Sequence, residues 1–128
     1  MKRALSLLAA LALTACATPA APPPSPLPGP TAALGQLAAV NGLRLRPIEV
    51  VEDSRCPAQV KCVWAGRVRI LAEVEAPGGG ESVETGLTLG EPTAIYGGRL
   101  TLVAVQPDKG FPSSIERESY RFTFVFQR

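Results

Sequence analysis

Two cysteines in the middle of one segment place the strongest constraint on this chain. Cys56 and Cys62 lie in residues 52–66, which read E-D-S-R-C-P-A-Q-V-K-C-V-W-A-G. Sequence typical of β-strands runs into this segment and out of it. An even pair of cysteines in an exported protein predicts a disulfide. We therefore predict a stapled loop that joins two strands of a small secreted domain.

The N-terminus supports export. Three residues with two basic side chains precede an apolar run over residues 4–13, which is too short to span a bilayer as a helix. Leu-Thr-Ala-Cys then follows at residues 13–16. This order resembles the signals of bacterial lipoproteins. The resemblance implies a signal peptide over residues 1–15 and an acylated, membrane-anchored Cys16. Ala17 stands where an aspartate favours inner-membrane retention, so the resemblance implies the outer membrane, with the domain facing the periplasm.

Charge and composition exclude several classes of function. Removal of Lys2 and Arg3 with the signal leaves 11 of the 13 basic residues against 11 acidic residues, so the mature side chains sum to zero. This balance gives no reason to expect a nucleic-acid partner. The chain contains no histidine, which excludes most zinc sites and Ser-His-Asp or Cys-His catalysis. We expect no metal and no cofactor.

A proline-rich stretch separates the anchor from the domain. Residues 17–30 read A-T-P-A-A-P-P-P-S-P-L-P-G-P, and prolines bias a chain toward the extended polyproline II conformation. We predict a lipidated cysteine and spacer over residues 16–34. A β domain over residues 35–128 follows it.

The rest of the chain alternates apolar and polar residues with the period of a β-strand. Asn41-Gly42 predicts a two-residue hairpin turn, and Pro47 predicts a bulge or an edge position. Residues 90–98 are interpreted as a connection, and residues 107–118 as a long loop. The predicted strands are Gln36–Val40, Leu43–Val51, Arg67–Ala76, Ser82–Leu89, Arg99–Gln106 and Tyr120–Gln127.

These strands predict an all-β fold. Tyr120, Phe122, Phe124 and Phe126 recur at every second position, and such an aromatic stripe indicates a core face. About six strands without crossover helices give a small antiparallel β-sandwich or barrel that carries one disulfide-stapled loop.

The stapled loop admits two interpretations. In the first it braces two strands, with Asp53 bonding backbone N–H groups ahead of it, and with Trp64 beside the disulfide under the guanidinium of Arg55 or Arg67. In the second it presents a rigid surface to a partner. The sequence does not place the loop around Phe111 at the same end of the domain or the other. The candidate binding residues are Asp53, Arg55, Gln59, Lys61, Trp64 and Phe111.

The segment 52–66 also resembles a signature found in small uncharacterised bacterial secreted proteins and lipoproteins. The resemblance is specific for the residues around Cys56 and Cys62 and loose over the remaining domain. It implies an exported all-β domain and adds no catalytic residue.

The sequence therefore predicts a membrane-anchored envelope lipoprotein that is a binding or structural module and not an enzyme. The expected partners are the membrane, through acyl chains on Cys16, and a protein of the envelope. The alternative is an inhibitor of a hydrolase that presents the Cys56–Cys62 loop. A redox role for the cysteines is weakly supported, because five residues separate them and no helix N-terminus is predicted to lower a thiol pKa.

Overall fold

Two four-stranded antiparallel sheets pack face to face in the computed structural model, which describes residues 29–110 and 114–128. The predicted signal peptide, Cys16 and Phe111 lie outside these residues. The sheets do not close on each other, so the fold is the sandwich of the two predicted alternatives. The strands are β1 Thr31–Ala32, β2 Ala38–Val40, β3 Leu43–Asp53, β4 Val68–Glu75, β5 Ser82–Thr88, β6 Pro92–Ile95, β7 Gly98–Gln106 and β8 Arg121–Gln127.

The first sheet has the strand order β1-β8-β7-β6, and the second has the order β2-β3-β4-β5. All six predicted strands are present. Asn41 and Gly42 both have positive φ, at 46° and 92°, and they join β2 to β3 as the predicted hairpin turn. The register of β3 against β4 shifts between Pro47 and Glu49, which confirms the bulge at the proline. No helix in the described residues is long and apolar enough to cross a membrane.

Period-two alternation places the core between the sheets. Val68, Ile70, Ala72 and Val74 of β4 are fully buried, as the alternation predicts. The aromatic stripe of β8 faces them from the other sheet: Phe122 and Phe124 are fully buried, while Tyr120 and Phe126 are 7% and 3% exposed. The aromatic strand therefore anchors the domain.

Two strands were not predicted. β1 lies inside the range 16–34 that we assigned to the spacer, so the folded part of the chain extends upstream of residue 35. β6 lies inside the predicted connection 90–98 and pairs with β7 through a turn at Tyr96-Gly97. Tyr96 takes a φ of 46°, which non-glycine residues rarely adopt. Its hydroxyl donates toward the carbonyl oxygens of Val74 at 3.3 Å and Glu81 at 3.2 Å, which holds the turn against β4 and β5.

Strict period-two alternation fails in β7, and the inward face of β5 is only partly buried. The register of β7 shifts between Leu102 and Ala104, and the extra residue turns Val105 into the core beside Leu100 and Leu102. Ala104, which strict alternation from Leu100 and Leu102 would place on that face, is half-buried. In β5, Leu87 is buried while Val83 is 42% exposed, because the strand lies at the edge of its sheet.

Candidate functional site

The stapled loop, residues 54–67, connects the end of β3 to the start of β4. Cys56 and Cys62 form the predicted disulfide, with Cα atoms 5.9 Å apart. One backbone and one side-chain hydrogen bond join the two ends of the loop: Ser54 N donates to the Arg67 carbonyl at 2.9 Å, and Arg67 N donates to Ser54 Oγ at 3.0 Å. The loop therefore starts and ends as a continuation of the β3–β4 ladder.

Gly66 makes this closure sterically feasible. Its φ is +66°, and a Cβ at this position would collide with the carbonyl oxygen of Ser54. Only glycine combines that backbone conformation with so close an approach between the two sides of the loop. The glycine that ends the Trp-Ala-Gly sequence is thus part of the loop's construction.

A half-buried ion pair fixes the loop to the domain. Arg55 Nε donates to Asp53 Oδ1 and Arg55 Nη2 donates to Asp53 Oδ2, both at 2.9 Å. The Tyr120 hydroxyl donates to Asp53 Oδ2 at 2.8 Å. Only 8% of the Asp53 side chain and 16% of the Arg55 side chain are exposed. Bidentate geometry away from solvent makes this a strong charge-assisted interaction.

A second loop is attached to the same end of the sandwich. Arg55 Nη1 donates to the Val105 carbonyl at 3.2 Å, and Lys109 Nζ donates to the Asp53 carbonyl at 2.6 Å. Ala58 N donates to the Lys109 carbonyl at 3.0 Å. The residues that lead toward position 111 therefore lie beside the stapled loop, while Phe111 itself is outside the described residues. We call Asp53, Arg55, Lys109 and Tyr120 the loop base.

The loop base shifts the pKa values of its members. Burial alone raises the pKa of Asp53, but hydrogen bonds from Arg55 and Tyr120 and the Arg55 charge outweigh it, so the pKa is lowered. Burial and the hydrogen bond to Asp53 raise the pKa of Tyr120 to about 12. At neutral pH the tyrosine is therefore a hydrogen-bond donor, and both carboxylate oxygens of Asp53 are occupied. These residues are arranged to hold a loop in place.

The Tyr120 shift predicts a loss of stability at high pH. A tyrosine whose pKa is about 12 in the folded state and 10 unfolded stabilises the fold fully below pH 10, and this contribution is lost as the pH rises toward 12. Tyr120→Phe is expected to cost about 1–2 kcal/mol at neutral pH. The substitution should also flatten the decline in the free energy of unfolding above pH 10, as measured by urea unfolding. Tyr96 is present in both the wild type and the Tyr120→Phe variant, so its contribution to the alkaline decline cancels in the comparison. Identical alkaline profiles would contradict the role of the Tyr120 hydroxyl.

The far side of the stapled loop is apolar and exposed. Val60, Val63 and Trp64 are 45%, 94% and 64% exposed, and we call these three residues the apolar tip. Lys61 lies between them in sequence and is exposed.

The predicted contact of Arg55 or Arg67 with the indole is not found in the described residues. Arg55 bonds Asp53, and Arg67 Nε bonds Glu52 Oε2 at 2.8 Å. Both guanidinium groups are therefore engaged at the foot of the loop, and Trp64 extends away from it.

The structure divides the sequence-predicted residues into two groups. Asp53 and Arg55 belong to the loop base, and Asp53 Oδ1 accepts from the Arg55 N–H at 3.4 Å, as expected of an aspartate that precedes a turn. Lys61 and Trp64 belong to the outer surface of the loop. Sequence reasoning missed Tyr120 and Lys109 as partners of Asp53. Tyr120 opens the aromatic stripe of β8, which places its hydroxyl at the end of the sheet where the loop begins.

Comparison of the chain with protein-family models, with curated proteins and with solved structures finds no match.

Proposed function

We propose that this chain is a lipid-anchored protein of the bacterial cell envelope that binds another envelope component through the outer surface of its stapled loop. One observation supports this proposal above the others: the three exposed apolar side chains of the apolar tip lie on a loop that is fixed by a disulfide, an ion pair and backbone hydrogen bonds. The anchor follows from the resemblance of residues 1–16 to a lipoprotein signal. The residue after Cys16 supports the outer membrane.

The two interpretations of the loop are compatible in this proposal. The loop base serves as the brace, because Asp53 and Arg55 are paired internally and face the domain. The apolar tip serves as the presented surface, because Val63 and Trp64 are exposed. A loop that is already ordered loses little conformational entropy when it binds, so a small surface suffices for useful affinity.

The proposal assigns no catalytic activity to the chain. Asp53 accepts two hydrogen bonds on each carboxylate oxygen, from Arg55 and Tyr120, which leaves it no free lone pair directed at a substrate. The chain has no histidine to act as a base near neutral pH. Binding is the simpler use of a rigid loop with an apolar outer surface.

Site-specific photo-crosslinking in the living cell tests this proposal. A photoreactive residue at Val63 is expected to give a discrete adduct with an envelope component. The same residue at Val83, an exposed valine of edge strand β5, should give none. The mass of the mature protein should show acylated Cys16, and Cys16→Ser should abolish membrane association. Equal labelling from positions 63 and 83, or an unmodified Cys16, would contradict the corresponding half of the proposal.

Inhibition of a hydrolase is the second candidate, and the exposure of Val63 and Trp64 on a rigid loop favours it. Inhibitor loops bind their enzymes as pre-ordered segments that change little on binding. This candidate predicts that the adduct at position 63 is a hydrolase and that Trp64→Ala relieves its inhibition without loss of folding.

A further inference from the structure

The apolar tip differs from the other exposed apolar residues of the domain. Val51, Val83 and Leu37 are exposed singly on strands or their connections, and isolated apolar side chains on a surface need no explanation. Val60, Val63 and Trp64 are exposed within five residues of one loop. Exposed apolar side chains grouped in this way indicate a surface that a binding partner covers.

Charge on the loop restricts what covers the apolar tip. Residues 54–67 contain no aspartate or glutamate. Arg55 is neutralised by Asp53, and Arg67 by Glu52. Lys61 is exposed, and among the described residues it forms no ion pair. Lys61 therefore places one available positive charge beside the apolar tip, which complements a surface that is apolar with anionic groups at its margin.

Four surface cavities of the described residues are lined by other parts of the domain and include no residue of the apolar tip. We take this to favour a partner whose surface deforms around the tip over a partner with a preformed pocket. A bilayer interface accommodates such a tip without a matched cavity. Tryptophan is enriched at the headgroup level of membranes, where lysine directs its ammonium toward the lipid phosphates.

We propose that the apolar tip inserts into the headgroup region of an anionic phospholipid bilayer, as a second and weaker membrane contact beside the acyl anchor. This inference rests on the proposed function and names the ligand of the same surface. An apolar tip this small binds membranes weakly by itself, but an anchored chain holds it at high effective concentration. The twelve predicted spacer residues 17–28, which precede the described domain, would extend to roughly 37 Å as polyproline II, whereas the seven residues of β8 span about 23 Å. The loop therefore has the reach to turn back to the membrane.

Trp64 is the only tryptophan of the chain and reports on the apolar tip directly. The mature protein is incorporated into vesicles of phosphatidylethanolamine and phosphatidylglycerol that contain a lipid brominated near the top of its acyl chain. Bromolipid is expected to reduce Trp64 fluorescence about twofold and to shift its emission to the blue. Lys61→Gln should lower the partition of the tip about fivefold on these vesicles. It should change little on phosphatidylcholine. Val83→Ser is the matched control and should behave as the wild type.

Three results would overturn the inference. If Trp64 stays accessible to iodide in water and unquenched by bromolipid while Cys16 is acylated, the anchor stands and the lipid contact does not exist. If position 63 crosslinks to a protein in cells, the binding surface stands and its ligand is not lipid. If the chain carries no acyl group and does not bind the vesicles, both the inference and the proposed anchor are wrong.

Discussion

Phe124→Ala is expected to lower the free energy of unfolding by about 4 kcal/mol. Phe124 is fully buried in the middle of β8, opposite Leu102 of β7, and it belongs to the one core that both sheets share. Alanine removes most of a ring from a site that is enclosed by two sheets, and such a site collapses only in part. Folded domains are stable by only about 5–15 kcal/mol in total. The loss is therefore a large share of the stability of this domain.

Urea unfolding followed by circular dichroism measures this loss as a lower midpoint with an unchanged slope. Val125→Ala is the matched control, because Val125 is the next residue of the same strand and is half-buried on its outer face. Its expected cost is about 1 kcal/mol. Similar costs for the two variants would contradict the assignment of the aromatic stripe to the core.

Period-two alternation predicted these core positions because sheets bury one face and expose the other. The alternation fails where the chain leaves a regular pleat. The extra residue in β7 lies between Leu102 and Ala104, and no pattern in an apolar run marks where a bulge reverses the facing of the next residues. β1 is two residues long and has no period to detect. β6 is missed because Tyr96-Gly97 turns the chain with a positive φ that tyrosine seldom adopts.

The candidate site divides in the same way between local and distant features. The disulfide and the hydrogen bond from the Arg55 N–H to Asp53 Oδ1 both depend on neighbouring residues, and both are present. The hydrogen bond from Tyr120 joins residues 67 positions apart, and Lys109 reaches Asp53 across 56 positions. Such partners depend on which strands lie side by side, and local pattern does not determine strand order. For the same reason we predicted Arg55 or Arg67 over Trp64, whereas in the fold Arg55 bonds Asp53 and Arg67 bonds Glu52.

Asp53→Asn is expected to destabilise the protein by about 3 kcal/mol, because it leaves the Arg55 guanidinium without a counter-charge in a site that is largely closed to water. The Asp53 side chain is 8% exposed and that of Arg55 is 16% exposed, so solvent replaces little of the lost interaction. The Tyr120 hydroxyl loses a charged acceptor in the same step. The pKa of Asp53 is lowered in the folded protein. The stability that its carboxylate contributes is therefore present above about pH 4 and is lost as the pH falls through the folded pKa.

A double-mutant cycle separates the ion pair from other effects of substitution. Arg55→Met removes the guanidinium but keeps an apolar stem, and the double variant should cost less than the sum of the single variants by about 1–3 kcal/mol. Glu52→Gln is the matched control. It breaks the pair with Arg67 at the same loop, but the side chains of Glu52 and Arg67 are 35% and 63% exposed. A pair this open to solvent contributes little to stability, so Glu52→Gln should leave the unfolding midpoint nearly unchanged.

The cycle also decides which part of the loop carries binding. Asp53→Asn acts on the loop base, so it should lower stability and weaken the crosslink at Val63 only as far as the loop loses its order. Trp64→Ala acts on the apolar tip, where 64% exposure leaves little packing to lose, and should weaken binding with little effect on the unfolding midpoint. If Glu52→Gln proves as costly as Asp53→Asn, burial does not set the strength of the pair. The rigid base that supports the apolar tip would then have another origin.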